Sequence, residues 1–265
     1  MITQSFDPVS PEIVCPAKTI REEEKALAAP FPIHSFLIVF SGALIRLLLE
    51  DGLIEPLDER LTIGSAAFRN PIYRICGSEI GIVLSGIGAP MAAAIVEELL
   101  ELFPCRRFLV FGSSGALVDL PEGRVIVPTE AYRDEGCSYH YAPASSWIRI
   151  RNAQRLASLL ERLGVPCVMG KTWTTDAFYR ETESNKAQRV QDGCICVEME
   201  CSALQAVCDY RGTELYQFVY TADSLHGSWS RRILGELEKD MRLLYFGVAR
   251  KLAELLETED NWETA

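Results

Sequence analysis

A chain of 265 residues, 48% hydrophobic and 24% charged, has the makeup of an ordinary globule and enough length for one large α/β domain or two small ones. Its net charge of -11, with Lys and Arg scattered singly, excludes nucleic acid as a partner, because a phosphate backbone needs a basic stripe to displace its counterions. Nine cysteines without a disulfide-scaffold spacing point to a reducing cytosol, and the absence of any signal-peptide-like or membrane-length apolar run leads us to expect a cytoplasmic protein, neither secreted nor membrane-bound.

A polar lead-in over residues 1–34 precedes the run Ser35 to Phe40, which reads as a buried strand; Ser41-Gly42 turns it into a helix over Ala43 to Glu50. Ile72 to Cys76 and Ile80 to Leu84, separated by Gly77-Ser78, read as a hairpin. A helix follows from Pro90 to Phe103, with proline suited to its first turn, and then a strand at Phe108 to Phe111. The alternation continues with strands at Arg124 to Val127 and Cys167 to Trp173, and helices near Ala153 to Leu163 and Cys201 to Tyr210. A last strand over Leu215 to Tyr220 leads to a long amphipathic helix from about Arg232 to Leu256. Such alternation implies a parallel or mixed sheet covered by helices. No linker or repeat interrupts it, so a single domain is expected over 35–258, with a frayed tail at 259–265.

Three places carry possible chemistry. Gly-rich turns are expected at Ser85 to Pro90 and at Gly112 to Ala116, each after a strand; a tight turn without a ligand and an anion or ribose cradle are both open there. Glu198 and Glu200 flank Met199 where an apolar strand meets a helix, which suits either a two-carboxylate pocket or two acids favouring a helix N-terminus. Asp223 follows the last strand, where an acid serves acid/base work or caps a helix.

Five segments in one order, SGIGAP at Ser85, RRFLVFGSSGAL at Arg106, RDEGCSYHYAP at Arg133, TTDAFYRE at Thr174 and VEMECSAL at Val197, resemble the uridine phosphorylase and hexameric purine nucleoside phosphorylase family, which also includes nucleosidases that use water. The resemblance implies a three-layer α/β/α fold with a mixed, barrel-like central sheet. It also implies homo-oligomers, dimers or hexamers built from dimers, that bind a nucleoside and use inorganic phosphate as co-substrate, with no resident cofactor or metal. Glu198, Met199 and Glu200 then hold ribose, Gly115 borders the substrate, Phe178 lies against the base, and Asp223 protonates a purine at N7. Gly42, Arg46 and Ser113 match the phosphate-binding positions, with Arg69 or Arg74 as a cation reaching over from a neighbouring subunit.

Two departures bear on this expectation. The arginine that uridine phosphorylases carry on the strand before the Gly-rich segment is Val110 here, which keeps water open as the nucleophile, since a bidentate arginine is a strong holder of phosphate. The stretch Arg180 to Ser184 lacks the Gln and Arg that read uracil, so a purine is favoured. A non-catalytic nucleoside-binding relative is the remaining alternative, opposed by the presence of Glu198, Met199, Glu200 and Asp223. His34, His140 and His226 have no metal-ligand spacing, and no G-x-S-x-G elbow or P-loop occurs.

Overall fold

The computed structural model describes residues 2–64, 69–234 and 238–263. The lead-in forms two short helices, α1 (Pro16–Thr19) and α2 (Glu22–Ala28), and is fastened to the body by the Glu12–Arg211 ion pair and an edge contact of Phe6 with Tyr210. Then come β1 (Ser35–Val39), α3 (Gly42–Glu50), β2 (Ile54–Pro56), β3 (Thr62–Ile63), β4 (Asn70–Pro71), β5 (Tyr73–Ile75), β6 (Ile80–Leu84), α4 (Ala89–Leu102) and β7 (Arg107–Ala116). The second half adds β8 (Val125–Asp134), α5 (Ser138–Tyr141), β9 (Trp147–Arg149), α6 (Ala153–Arg162), β10 (Cys167–Thr175), α7 (Glu183–Gln191), β11 (Cys194–Glu198), α8 (Cys201–Arg211), β12 (Glu214–Ser224) and α9 (Lys239–Glu263).

The main sheet runs β11-β10-β8-β12-β7-β1-β6-β5-β2, and β11 also pairs antiparallel with β7, closing five strands into a mixed barrel. The expected mixed, barrel-like α/β architecture is what forms. Side-chain alternation along β1 explains the layers: Leu37 and Val39 pack with Leu44 of α3 and Leu252 of α9, whereas Phe36 and Ile38 pack with Ala92 and Val96 of α4 and Leu204 of α8. A strand with helices on both faces is apolar throughout, which is why Ser35 to Phe40 reads as a continuous run.

Four boundaries differ from expectation. Gly112 to Ala116 is no turn: β7 continues through it, because β12 pairs with it in parallel and β11 pairs with Gly115 and Ala116 from the other side. Asp223 lies inside β12, just after a register shift between Thr221 and Asp223. The last helix starts at Lys239 and not near Arg232, whose positive φ of 47° is incompatible with a helix; residues 235–237 of the expected span lie outside the described residues. Through residues 259–263 of the expected tail α9 continues to Glu263, and the Glu259 carboxylate accepts from Arg155 (3.2 Å) and Arg162 (2.6 Å). All nine cysteines are free thiols, and no described helix is long and apolar enough to cross a membrane.

Candidate active site

The end of β7 explains where a cavity forms. A Cβ on Gly115 would stand 2.6 Å from Leu225 Cδ1, 3.0 Å from Val197 Cγ1 and 3.3 Å from Asp223 Oδ1, so only glycine lets β11 and β12 approach β7 here. Gly112 likewise accommodates the Phe40 ring. Above this floor opens a cavity of about 780 Å³, walled by β7, β11 and β12, the segment after β10, α7 and the loop after β12. Ser113, Gly115, Phe178, Glu198, Met199, Glu200 and Asp223 all line it, although they come from four separate stretches of chain.

At one end, the two residues that link β11 to α8 set both acids. Glu198 Oε1 accepts from Thr174 Oγ1 (2.5 Å) and Thr172 Oγ1 (3.2 Å), and its Oε2 accepts from the backbone amides of Glu200 (2.8 Å) and Cys201 (2.7 Å). It therefore caps the start of α8, satisfying amides that a helix N-terminus leaves without partners. Glu200 turns the other way and accepts from the Gly88 amide at 2.6 Å, where a φ of +100° favours glycine at the N-cap of α4. Both open readings of this acid pair hold at once: the acids do sit at helix N-termini, and they also line the cavity. Burial raises the Glu198 carboxyl, opposed by its four donors, and burial followed by the Glu198 charge pushes Glu200, 7% exposed, up to about 8.

Behind this acid pair lies a buried polar layer that explains the RDEGCSYHYAP segment. The Ser202 amide donates to Thr174 Oγ1 (3.2 Å) and the Ser202 hydroxyl to Glu135 Oε1 (2.9 Å); Glu135 also accepts from the Ser138 amide and hydroxyl. Arg133 donates to Ser138 Oγ (2.8 Å) and to the Pro143 carbonyl (2.7 Å). A fully satisfied buried network of this kind holds geometry.

The opposite end is looser. Asp223 Oδ2 accepts from Trp229 Nε1 at 2.9 Å, and Trp229, 62% exposed, sits in a loop closed by paired backbone bonds between Ser224 and Ser230. Lys186 of α7 holds the same loop, donating to the carbonyls of Leu225 (3.0 Å) and Gly227 (3.5 Å). Burial raises Asp223, with the Trp229 hydrogen bond opposing it. Glu181, also on the lining, is pushed up to about 7 by burial and then by the Asp223 charge. Phe178, 48% exposed, packs against Tyr179 with ring centroids 4.1 Å apart.

The positions expected to hold phosphate divide. Ser113 lines the cavity; Gly42 and Arg46 do not, though they adjoin each other one turn apart on α3, Arg46 Nη1 standing 3.8 Å from where a Gly42 Cβ would be. Arg69 lies off the cavity too, donating to Glu24 (2.9 Å) and the Thr62 carbonyl (3.2 Å), and Arg74 pairs with Glu55. Val110 is fully buried among Phe36, Ile38 and Val96. A recess of about 80 Å³ shares Phe40, Gly112 and Ser113 with the main cavity and adds Ser41 and Arg242. Glu181, Lys186, Trp229, Arg242 and Gln217 were not singled out from sequence. Gln217, 2% exposed, lines the main cavity with its Oε1 lacking a hydrogen-bond partner among the described residues, and its one legible signal was a polar residue inside an apolar strand.

Residues 37–241 match the model of the family described as Phosphorylase superfamily. The chain belongs to the phosphorylase superfamily. Among its relatives are the DeoD-type purine nucleoside phosphorylase of Alkaliphilus metalliredigens, 26% identical over 56% of this chain and 66% of that one, and the uridine phosphorylase of Haemophilus influenzae, 30% identical over 52% and 61%. The chain thus spans less than two thirds of the length of these relatives. In fold it is similar to the AMP nucleosidase of Bacteroides thetaiotaomicron, with a TM-score of 0.66 and 13% identity over 90% of this chain and 99% of that one.

Proposed function

We propose that this phosphorylase superfamily member cleaves the N-glycosidic bond of a nucleoside, with inorganic phosphate as the attacking group, a purine as the leaving base, and like subunits assembled into a homo-oligomer. The observation that carries this reading is the meeting, in one cavity, of Glu198-Met199-Glu200, Asp223 and Ser113. As the bond breaks, the sugar gains positive charge and the base negative charge, so a site must hold the sugar, neutralise the base and admit a nucleophile. Glu200, fixed through one oxygen by Gly88, orients the sugar hydroxyls; Met199 packs on the sugar; Asp223 supplies a proton to the base. The recess beside Ser113, edged by Ser41 and Arg242, supports phosphate as the nucleophile. Water is the second reading, favoured by Val110 and by the position of Arg46 off the cavity.

The test is release of free base from purine and pyrimidine nucleosides with and without phosphate, identifying the sugar product. Phosphate-dependent release with pentose 1-phosphate sustains the reading, free pentose without phosphate replaces it with hydrolysis, and no release from any nucleoside overturns it. Arg242→Gln should then raise the KM for phosphate about tenfold, as expected for one hydrogen bond to a charged group.

A further inference from the structure

Gln217 of β12 is 2% exposed and lines the main cavity, and its Oε1 has no hydrogen-bond partner among the described residues. Two other buried polar atoms share that condition, Arg189 Nε and Thr213 Oγ1, but neither residue lines the cavity. Elsewhere the fold satisfies a buried amide: Gln205 of α8, 1% exposed, accepts from the Arg151 amide (3.2 Å) and donates to Asp209 (2.7 Å). A buried amide without a partner costs stability, and it is tolerated where a ligand completes it.

The strand register places this amide. Gln217 stands opposite Val110 of β7, and side chains paired across two strands project from the same face. Val110 and Leu215 belong to the layer packed by Leu204 and Val207 of α8, so Gln217 is a polar side chain set into an otherwise apolar layer under that helix. The chain reverses at Gly212, with a φ of +68°, so the step along β12 from Leu215 to Gln217 leads back toward the first turn of α8 and the Glu198–Glu200 junction. The run from Gln217 on to Asp223 covers about 20 Å of extended strand, too far for both to meet one group of a bound nucleoside. What Gln217 binds is therefore the part of the ligand remote from Asp223. An amide offers a donor and an acceptor side by side, and its terminal torsion lets it present either one. A hydroxyl both donates and accepts and so meets the amide in either orientation, whereas a fully ionised phosphate only accepts.

We propose that Gln217 is a specificity-determining residue that hydrogen-bonds one hydroxyl of the sugar, so that the cavity selects nucleosides carrying that hydroxyl over the deoxy analogue that lacks it. The selection arises because the deoxy analogue leaves the amide buried and unpaired. This rests on the nucleoside-cleaving reading of the same cavity and narrows its substrate class through the sugar.

The experiment measures kcat/KM, with phosphate present, for adenosine or inosine, whichever is cleaved faster, and for its 2′-, 3′- and 5′-deoxy analogues, in the wild type, Gln217→Met and Gln217→Leu. For one analogue the wild-type preference for the parent nucleoside should fall about tenfold in both variants, as expected for one hydrogen bond whose loss leaves a buried group unpaired, while the other two ratios stay within about twofold. The urea midpoint of either variant should equal or exceed that of the wild type, since an unpaired polar group leaves the interior. Ratios that neither variant moves overturn the assignment, whether the variants instead raise the KM for phosphate, which gives the amide to the co-substrate, or only lower the urea midpoint, which makes its role structural. If the wild type cleaves no nucleoside, the parent reading fails, and equilibrium binding of adenosine and its deoxy analogues then decides on Gln217: a preference for adenosine over one analogue that Gln217→Met removes sustains it, and a preference left unchanged, or no binding, overturns it.

Discussion

At the end of the cavity where we propose the sugar sits, Glu198 is gripped by four donors from β10 and the start of α8, and Glu200 by the Gly88 amide; at the end proposed for the base, Asp223 has one donor from an exposed loop tryptophan, and the Glu181 side chain has none among the described residues. The difference is one of purpose. Donors that saturate a carboxylate fix its position and leave it little capacity for a ligand, as at Glu198. A carboxyl held by few donors keeps acceptor capacity for a ligand, as Asp223 and Glu181 do on the cavity lining. Replacement should therefore cost mainly stability at Glu198 and mainly rate at Asp223.

The sharpest break in that contrast comes from Asp223→Asn, which should lower the rate of base release about 10²- to 10⁴-fold, the usual contribution of a general acid, with the unfolding midpoint in urea nearly unchanged. Next in size, Glu198→Ala strands two threonine hydroxyls and two amides and should cost about 3 kcal/mol or more in urea unfolding; a loss of rate without that loss of stability would remove its structural role. Glu200→Gln joins the two ends of the comparison. Because the folded-state carboxyl lies near 8 against an ordinary 4.5, the native protein holds a proton that the unfolded chain has released between those values, so wild-type stability falls as pH rises through that window. The glutamine variant lacks this fall and should be more stable than wild type near pH 8, by on the order of a few kcal/mol, while cleaving nucleosides more slowly. The smallest effect belongs to Trp229→Phe. Its indole N–H favours ionised Asp223, so its removal should let Asp223 keep its proton to higher pH, extending the high-pH limb of the rate profile while changing the optimum rate by about tenfold or less.

Local pattern made much of this molecule legible. The run Ser35 to Phe40, the hairpin around Gly77 and the helices at 90–103, 153–163 and 201–210 follow from local apolar pattern: the first two helices bury one face each, whereas Cys201 to Cys208 and β1 are buried on all sides. The acid pair at Glu198 and Glu200 was legible because one short junction carries it. The residues around Asp223 were not: Glu181, Lys186 and Trp229 come from separate segments, and nothing in the local pattern of any one of them brings it to the acid that follows the last strand. Gly112 to Ala116 misled for a related reason, since glycine marks a turn and a close strand approach equally well in a sequence.

By itself the sequence determined which segments become strands and helices and where two acids stand at a strand-to-helix junction, because hydrophobic period and capping act over a few residues. Only the tertiary structure decided that β11 returns to pair with β7, that Gly115 admits Val197 and Asp223 to one floor, and that Glu181 and Asp223 line one cavity. Those outcomes depend on barrel closure, a long-range geometry set by the packing of the whole sheet between its helices, which no short window of residues encodes.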